Sequence, residues 1–179
     1  MVLVREEAGP PGAALDELKE YLRVSGSGED ELLEGLLHSA TQLCEQFVGQ
    51  WLIAGDARET VRADGGWQRL SARPVLAITD VALLEPGGDA QPLSADAYAI
   101  DIDAGGDGWV RARPANARGV LEVRYRAGLA EEAQGLPEPI RQGIVRLAAE
   151  HHAARGGEVA APPAVVSALW RPWRRMRLA

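Results

Sequence analysis

The sequence has little of what several common protein classes require. Its 179 residues include one cysteine, Cys44, so an internal disulfide framework and a thiolate metal cluster are excluded. The first residues lack the apolar core of a signal peptide and include Glu6 and Glu7. The longest uncharged stretch near the C-terminus, residues 159–170, is too short to cross a bilayer and contains two prolines. We therefore expect a cytoplasmic protein that does not contact a membrane.

Motifs for catalysis are also missing from the sequence. There is no GxSxG nucleophile turn and no glycine-rich phosphate loop followed by Lys and Ser or Thr. Cys44 falls on an apolar helical stripe, which favours a core position over a reactive thiol. These observations predict that the protein is not an enzyme, with no catalytic residues and no cofactor.

Two short stretches contain side chains that can bind metal ions. His151 and His152 are neighbours, and neighbouring helix positions diverge by about 100°, so the pair cannot readily bind one ion. We expect a half-buried His151 and a solvent-facing His152. The stretch DIDAGGDG at 101–108 lacks the glutamate that ends a calcium loop, which favours a hairpin turn. No metal site is predicted, and a small metal-dependent enzyme using the two histidines is a minor alternative.

The charge is distributed unevenly along the chain. The net charge is −7, and residues 1–60 hold 12 acids against 4 bases, whereas residues 161–179 hold four arginines and no acid. The ending SALWRPWRRMRLA (167–179) could bind nucleic acid, fold back on its own core or dock into a partner protein. Four positive charges on an acidic chain bind DNA weakly, and Pro172 prevents a long membrane-surface helix.

Tryptophan and arginine are enriched at protein–protein hot spots, so docking into a partner is favoured. The predicted docking residues are Leu169, Trp170, Arg171, Trp173, Arg174, Arg175 and Arg177.

Apolar spacing predicts helices at 14–24, 29–50 and 138–155 and a short helix at 164–170. The clearest stripe runs from Leu32 to Trp51. Between the helices, short apolar runs separated by Gly, Pro and Asp predict strands at 59–62, 67–70, 75–84, 98–102, 109–113 and 120–126. We therefore expect an α+β fold, namely a mainly α-helical domain with a small antiparallel β-sheet (57–126) inserted between the N-terminal and C-terminal helices. A flexible arm (1–13) would precede this domain (14–160), and a docking helix and basic tail (161–179) would follow it.

Three pieces of the sequence, taken in order, resemble a known family. They are LDELKEYLRV followed by EDELLEGLLHSATQLCEQFVGQ, then VLEVRYRAGLAEEAQGLPEPIRQGIVRLAAEHHAARGG, and finally APPAVVSALWRPWRRMRL. This order, over residues 15–178, resembles the head-tail connector (adaptor) proteins of long-tailed phages and phage-like gene transfer agents. The chain departs from many relatives in its ending, where Trp170 and Trp173 flank Pro172 in place of a Tyr-Arg type ending.

The resemblance implies a structural role in the neck of a virion or particle that is assembled in the bacterial cytoplasm. Family members form a ring, usually of twelve copies, beneath the portal protein, and their C-terminal segments reach toward that portal. The other face of the ring meets stopper or tail-terminator proteins, and DNA passes through the channel without sequence-specific binding. Acids at Glu29, Asp30, Glu31 and Glu34 would face the lumen or solvent. The alternative is a nucleic-acid-binding accessory protein that uses the C-terminal arginines.

Overall fold

The computed structural model describes residues 1–7, 9–85, 87–113, 118–154 and 162–175. The chain divides into two compact units. The sheet unit comprises Met1–Gly9 and Ala54–Leu129, and the helical unit comprises Pro10–Ile53 and Ala130–Ala179. Each unit is therefore built from two separate parts of the sequence.

The sheet unit contains two antiparallel sheets. The larger sheet has five strands, which are β1 (Val2–Arg5), β2 (Gly55–Ala63), β4 (Val75–Leu84), β5 (Ala90–Pro92) and β8 (Gly119–Ala127). Their spatial order is β1-β2-β8-β4-β5. The smaller sheet has the order β3-β7-β6 and consists of β3 (Gln68–Arg69), β6 (Tyr98–Ile102) and β7 (Gly108–Ala112).

The predicted fold class is wrong in its proportions. The structure is 35% helical and 30% strand, and its described residues form eight strands in two sheets and four α-helices. It is a mixed fold and not a mainly helical domain with a small inserted sheet. Strands β2 and β8 are longer than predicted, because they pair over nine residues each, from Gly55 opposite Ala127 to Ala63 opposite Gly119. Strands β1 and β5 were not predicted. Residues 2–5, assigned to the N-terminal arm, add an edge strand to β2.

The core of the sheet unit is centred on the inner face of β8. Leu121, Val123 and Tyr125 alternate along this strand and are buried, because successive side chains of a strand point to opposite faces. The fully buried carboxyl group of Glu59 accepts hydrogen bonds from the Tyr125 hydroxyl (2.6 Å) and from the Ser71 amide (2.9 Å) and hydroxyl (2.6 Å). These three donors satisfy a polar group that would otherwise be costly to bury.

The helical unit consists of α1 (Leu15–Leu22), α2 (Asp30–Val48), α3 (Glu138–Ala154) and α4 (Ala164–Trp170). A short 3-10 turn, Ala133–Gly135, precedes α3. Helix α2 ends at Gly49, whose φ of 70° is the left-handed conformation that glycine adopts easily. None of the described helices combines the length and the apolar character needed to cross a membrane.

Buried apolar side chains of all four helices contribute to the core of the helical unit. They include Leu18 from α1, Leu33, Leu37, Ala40, Cys44 and Val48 from α2, Ile140, Ile144 and Leu147 from α3, and Val166 and Trp170 from α4. Leu32, which begins the predicted stripe, is exposed. The N-terminal residues of the unit also pack closely, since Ala13 is buried and the Gly12 amide donates to Thr41 Oγ1 at 2.9 Å.

Candidate interaction surfaces

The C-terminal segment begins where α4 follows two prolines. Proline fixes its backbone φ near the helical value and lacks an N–H group, so it is well suited to a helix start. The Ser167 hydroxyl donates to the Pro162 carbonyl at 3.1 Å. After Trp170 the chain tightens into a 3-10 turn, Arg171–Trp173, that contains Pro172. The segment is therefore a two-turn helix followed by one tight turn.

Trp170 lies in the core of the helical unit and is completely inaccessible to solvent. Its indole N–H donates to the Ile140 carbonyl at 3.3 Å, and its ring centroid lies 5.8 Å from that of Phe47. Gly143 on α3 leaves room for the indole, because any Cβ at that position would overlap the ring. Trp170 therefore fixes α4 to α3 and does not offer a free aromatic surface.

The residues after Trp170 are held against the C-terminal end of α2. The Arg175 amide donates to the Val48 carbonyl at 2.8 Å, and Gln50 Nε2 donates to the Trp173 carbonyl at 2.7 Å. The Arg174 guanidinium lies 5.5 Å from the centroid of the Phe47 ring, within the range of a cation–π contact. The last carbonyls of a helix have no partner within the helix, and the hydrogen bond from the Arg175 amide satisfies the Val48 carbonyl.

The predicted docking residues thus differ in accessibility. Arg171, Arg174 and Arg175 are exposed, and Leu169 and Trp173 are half-buried. Trp170 is buried, and Arg177 lies outside the described residues. The structure brings three arginines together on a short segment of chain whose backbone is hydrogen-bonded to α2.

Some acids of the helical unit contact basic side chains. Lys19 Nζ lies 2.7 Å from Asp30 Oδ1, and His152 Nε2 lies 3.5 Å from a carboxylate oxygen of Glu29. Glu31 and Glu34 are exposed. The expectation of a solvent-facing His152 is wrong, because the side chain lies against Glu29 and is only 20% exposed.

The acidic stretch at 101–108 has a structural role. Asp103 organises the turn between β6 and β7, where its carboxylate accepts hydrogen bonds from the amides of Gly105 (2.8 Å) and Asp107 (3.0 Å). Asp107 in turn pairs with the buried Arg73 at 3.4 Å. Within the described parts of the chain, no cluster of three or more His, Cys, Asp or Glu side chains could hold a metal ion.

Cys44 is fully buried, and burial raises the pKa of its thiol far above the ordinary value. The neighbouring Glu45 adds to this rise. The thiol is thus unreactive in the folded protein, as expected for a core cysteine.

The two exposed strand edges of the sheet unit were not predicted from the sequence. Strand β1 ends the larger sheet and exposes Val2, Leu3 and Val4, and β6 ends the smaller sheet and exposes Ile100 and Ile102. The available signal was the Val-Leu-Val run directly after Met1, which is typical of a strand. Its position in a segment rich in Gly and Pro concealed it.

Comparison with solved structures identifies the class of protein that has this fold, namely the structural components of gene transfer agent (GTA) particles. A chain from the neck of an empty GTA particle, determined with C6 symmetry, is similar with a TM-score of 0.82 and 24% identity. Chains from the virion of a native GTA particle and from the neck of a native GTA particle determined with C12 symmetry each have a TM-score of 0.78 and 26% identity. Each match covers 100% of this chain and 98% of the other.

No protein-family model and no curated protein matches the sequence. The predicted resemblance to head-tail connectors of gene transfer agents is nevertheless confirmed through the fold, because the structures that match over the full length include GTA necks.

Proposed function

We propose that this chain is an adaptor subunit of a head-tail connector, in the neck of a gene transfer agent or a related phage. The observation that carries the proposal is the full-length similarity to GTA neck chains, including one at 26% identity with both chains covered almost completely. A match that covers 100% of this chain and 98% of the other supports the same architectural role. The same similarity supports a structural protein of the particle neck.

In this proposal the subunits form a ring, which the C6 and C12 symmetry of the similar neck structures supports. Twelve copies is the number that the family resemblance implies. A ring with cyclic symmetry needs two different and complementary surfaces on each subunit. The ring would lie beneath the portal protein and meet stopper or tail-terminator proteins on its other face, while DNA passes through the channel.

The C-terminal segment is the proposed contact with the portal protein. Trp170 holds α4 in place, and the arginines at 171, 174 and 175 extend from a fixed backbone toward carboxylates of the portal. Arginine suits this role because its planar guanidinium can donate two parallel hydrogen bonds to one carboxylate. Leu169 and Trp173 add half-buried apolar surface beside these charges.

Binding of the portal can be measured with the purified full chain and immobilised portal protein. The variant Arg171→Glu/Arg175→Glu reverses two exposed charges, and we expect its affinity to fall at least about tenfold, which corresponds to about 1.4 kcal/mol. The matched control is Arg62→Glu/Arg113→Glu, which makes the same charge change at exposed positions of the sheet unit. Equal affinities for the two variants would refute C-terminal docking.

The same variants test the alternative of a nucleic-acid-binding accessory protein. Binding through a few phosphate contacts falls steeply with salt, so any affinity is greatest at low ionic strength. We expect no gel shift of double-stranded DNA at low salt with the unmodified chain. A shift that Arg171→Glu/Arg175→Glu abolishes and the control retains would favour the alternative.

A further inference from the structure

The outer face of the smaller sheet carries two tryptophans and an arginine. Val110 on β7 is fully buried, so its neighbours Trp109 and Arg111 point to the opposite, outer face of that sheet. Trp67, directly before β3, is 42% exposed, and the Arg111 guanidinium lies 4.7 Å from the centroid of its ring. Trp109 is half-buried, and its indole N–H donates to the Asp103 carboxylate at 3.3 Å. Trp67, Trp109 and Arg111 are called the platform below.

The chemistry of the platform fits a carboxylate of a partner protein. Arg111 donates no hydrogen bond to a described residue, although its Nε atom is buried. A guanidinium that is partly withdrawn from water gains most from a charged acceptor. The exposed Asp101 and Asp103 lie in the adjacent strand and turn, which disfavours a polyanion such as DNA. Tryptophan and arginine are also enriched at protein–protein hot spots, so the platform suits an acidic protein surface.

Helix α2 presents a complementary surface. Glu31 and Glu34 are exposed and one turn apart, and neither carboxylate pairs with another described residue. Leu32 is 54% exposed. Gly35 is exposed as well, and a Cβ at this position would meet no described atom within 4 Å. These four residues are called the Gly35 patch.

Gly35 has no packing reason within the described part of the chain. Glycine is a poor helix former relative to alanine, so a glycine inside a helix usually makes room for another group. Gly143, the other glycine inside a described α-helix, makes room for the indole of Trp170. Gly35 leaves the backbone of α2 open to a flat ring in the same way, and that ring would come from another molecule.

We propose that the platform of one copy docks on the Gly35 patch of a second copy. In this contact Trp67 lies over Gly35 and against Leu32. Arg111 then donates to the carboxylate of Glu31, which is one turn from the glycine, so an unpaired cation meets an unpaired anion. The inference rests on the proposed ring, in which cyclic symmetry requires a contact between two different surfaces.

The other exposed large apolar side chains of the described residues match the platform less well. Tyr21 borders a cavity that is also lined by Arg146, so a cation already lies beside its neighbouring acids. Ile100 and Ile102 have one acid between them, Asp101, and it points to the face of the platform itself. The remaining ones have no acid beside them in the sequence, and they are Met1, Val2, Leu3, Val4, Leu76, Val120 and Val165.

Self-association of the purified full chain, followed by sedimentation up to about 1 mM, tests this contact. Gly35→Gln places a side chain where the ring would lie, and Trp67→Ala/Arg111→Glu removes the platform. We expect each variant to weaken self-association at least about tenfold. Because glutamine is a better helix former than glycine, Gly35→Gln should also raise the urea midpoint of unfolding. The matched control, Gly87→Gln, changes an exposed glycine of the sheet unit and should leave self-association unchanged.

A mixture of the two variants tests whether the contact joins two different surfaces. The Gly35→Gln chain keeps its platform, and the Trp67→Ala/Arg111→Glu chain keeps its Gly35 patch, so the mixture retains one intact contact. We expect heterodimers in the mixture at concentrations where each variant alone is monomeric.

Three outcomes would overturn the contact. They are equal self-association of Gly35→Gln and the unmodified chain, a mixture without heterodimers at about 1 mM, and a DNA gel shift that Trp67→Ala/Arg111→Glu abolishes, which would make nucleic acid the partner. Electron microscopy with the portal protein separates this result from the proposed function. A ring of Gly35→Gln chains on the portal refutes only the contact. If both variants lose self-association but the unmodified chain does not bind the portal, the neck role is refuted and the contact stands.

Discussion

Replacing Trp170 by alanine tests whether this residue is a folding element or a free docking side chain. The indole is inaccessible to solvent, contacts Phe47 and donates to the Ile140 carbonyl. The space over Gly143 that it fills would become a cavity in the helical unit. Because the surrounding helices can relax only partly into this cavity, the lost contacts are not recovered.

The expected loss is large on the scale of domain stability. Truncation of a buried tryptophan to alanine costs about 3–5 kcal/mol, and loss of the indole hydrogen bond is included in that range. Trp170→Phe keeps most of the apolar contact but removes the N–H donor, so we expect a smaller loss of about 1–2 kcal/mol. Urea unfolding followed by far-ultraviolet circular dichroism measures both.

Trp67→Ala provides the control, because Trp67 is exposed and the Arg111 guanidinium lies 4.7 Å from the centroid of its ring. We expect Trp67→Ala to lower the free energy of unfolding by less than about 1 kcal/mol. If the free energy of unfolding of Trp170→Ala lay within about 1 kcal/mol of that of the unmodified chain, the assignment of Trp170 to the core would be refuted. We also expect folded Trp170→Phe protein to retain portal affinity, since the exposed arginines remain in place.

Two further predictions concern buried and exposed polar groups. Tyr125→Phe should destabilise the sheet unit by about 1–3 kcal/mol in urea unfolding, because the buried Glu59 loses a donor, whereas Tyr21→Phe at an exposed position should have little effect. Hydrogen bonding to Arg141 lowers the pKa of Glu138 in the folded state. The ionised Glu138 carboxylate therefore stabilises the fold at pH values above the pKa that it has in the unfolded chain. This stabilisation is lost as the pH falls through the pKa of the folded state. Urea midpoints of the unmodified chain and Glu138→Gln should therefore differ most near pH 6 and converge toward pH 3, and a constant difference would contradict this.

Helical periodicity in the sequence predicted much of the helical unit. The stripe through Leu33, Leu37 and Cys44 indicates one long helix, and these residues are buried on α2. A stripe of this kind requires only local sequence, because residues three and four apart share a helix face. It could not indicate that Leu32 stays exposed, since that depends on which other helices cover the stripe.

The extent of the sheets could not be predicted in the same way. Strand β2 begins with Gly-Asp-Ala-Arg, a stretch with low strand propensity that pairs along its whole length with β8. Strand β1 is distant in sequence from its partner, and Val2 lies opposite Thr60. Strand pairing is decided by contacts far apart in the chain, so local patterns underestimated the sheet and led to the wrong fold class.

For the C-terminal segment, composition predicted exposed aromatic anchors and missed the burial of Trp170. A signal was present at Gly143, since glycine inside a helix costs about 1 kcal/mol relative to alanine and therefore usually has a packing reason. That reason is the indole of Trp170, which approaches the glycine from α4. Pairing this glycine with that tryptophan requires the tertiary structure, because the two residues lie on different helices.

The hydrogen bonds beyond Trp170 change how docking of this segment would work. The Val48 carbonyl and Gln50 fix the backbone at Arg175 and Trp173 without using the arginine side chains. A binding segment whose backbone is already ordered loses less conformational entropy on association than a free tail does. The burial of Trp170 therefore supports docking indirectly, because it holds the exposed arginines at a defined place. Affinity for the portal would then depend on the charges at 171, 174 and 175 and on the integrity of the core beneath them.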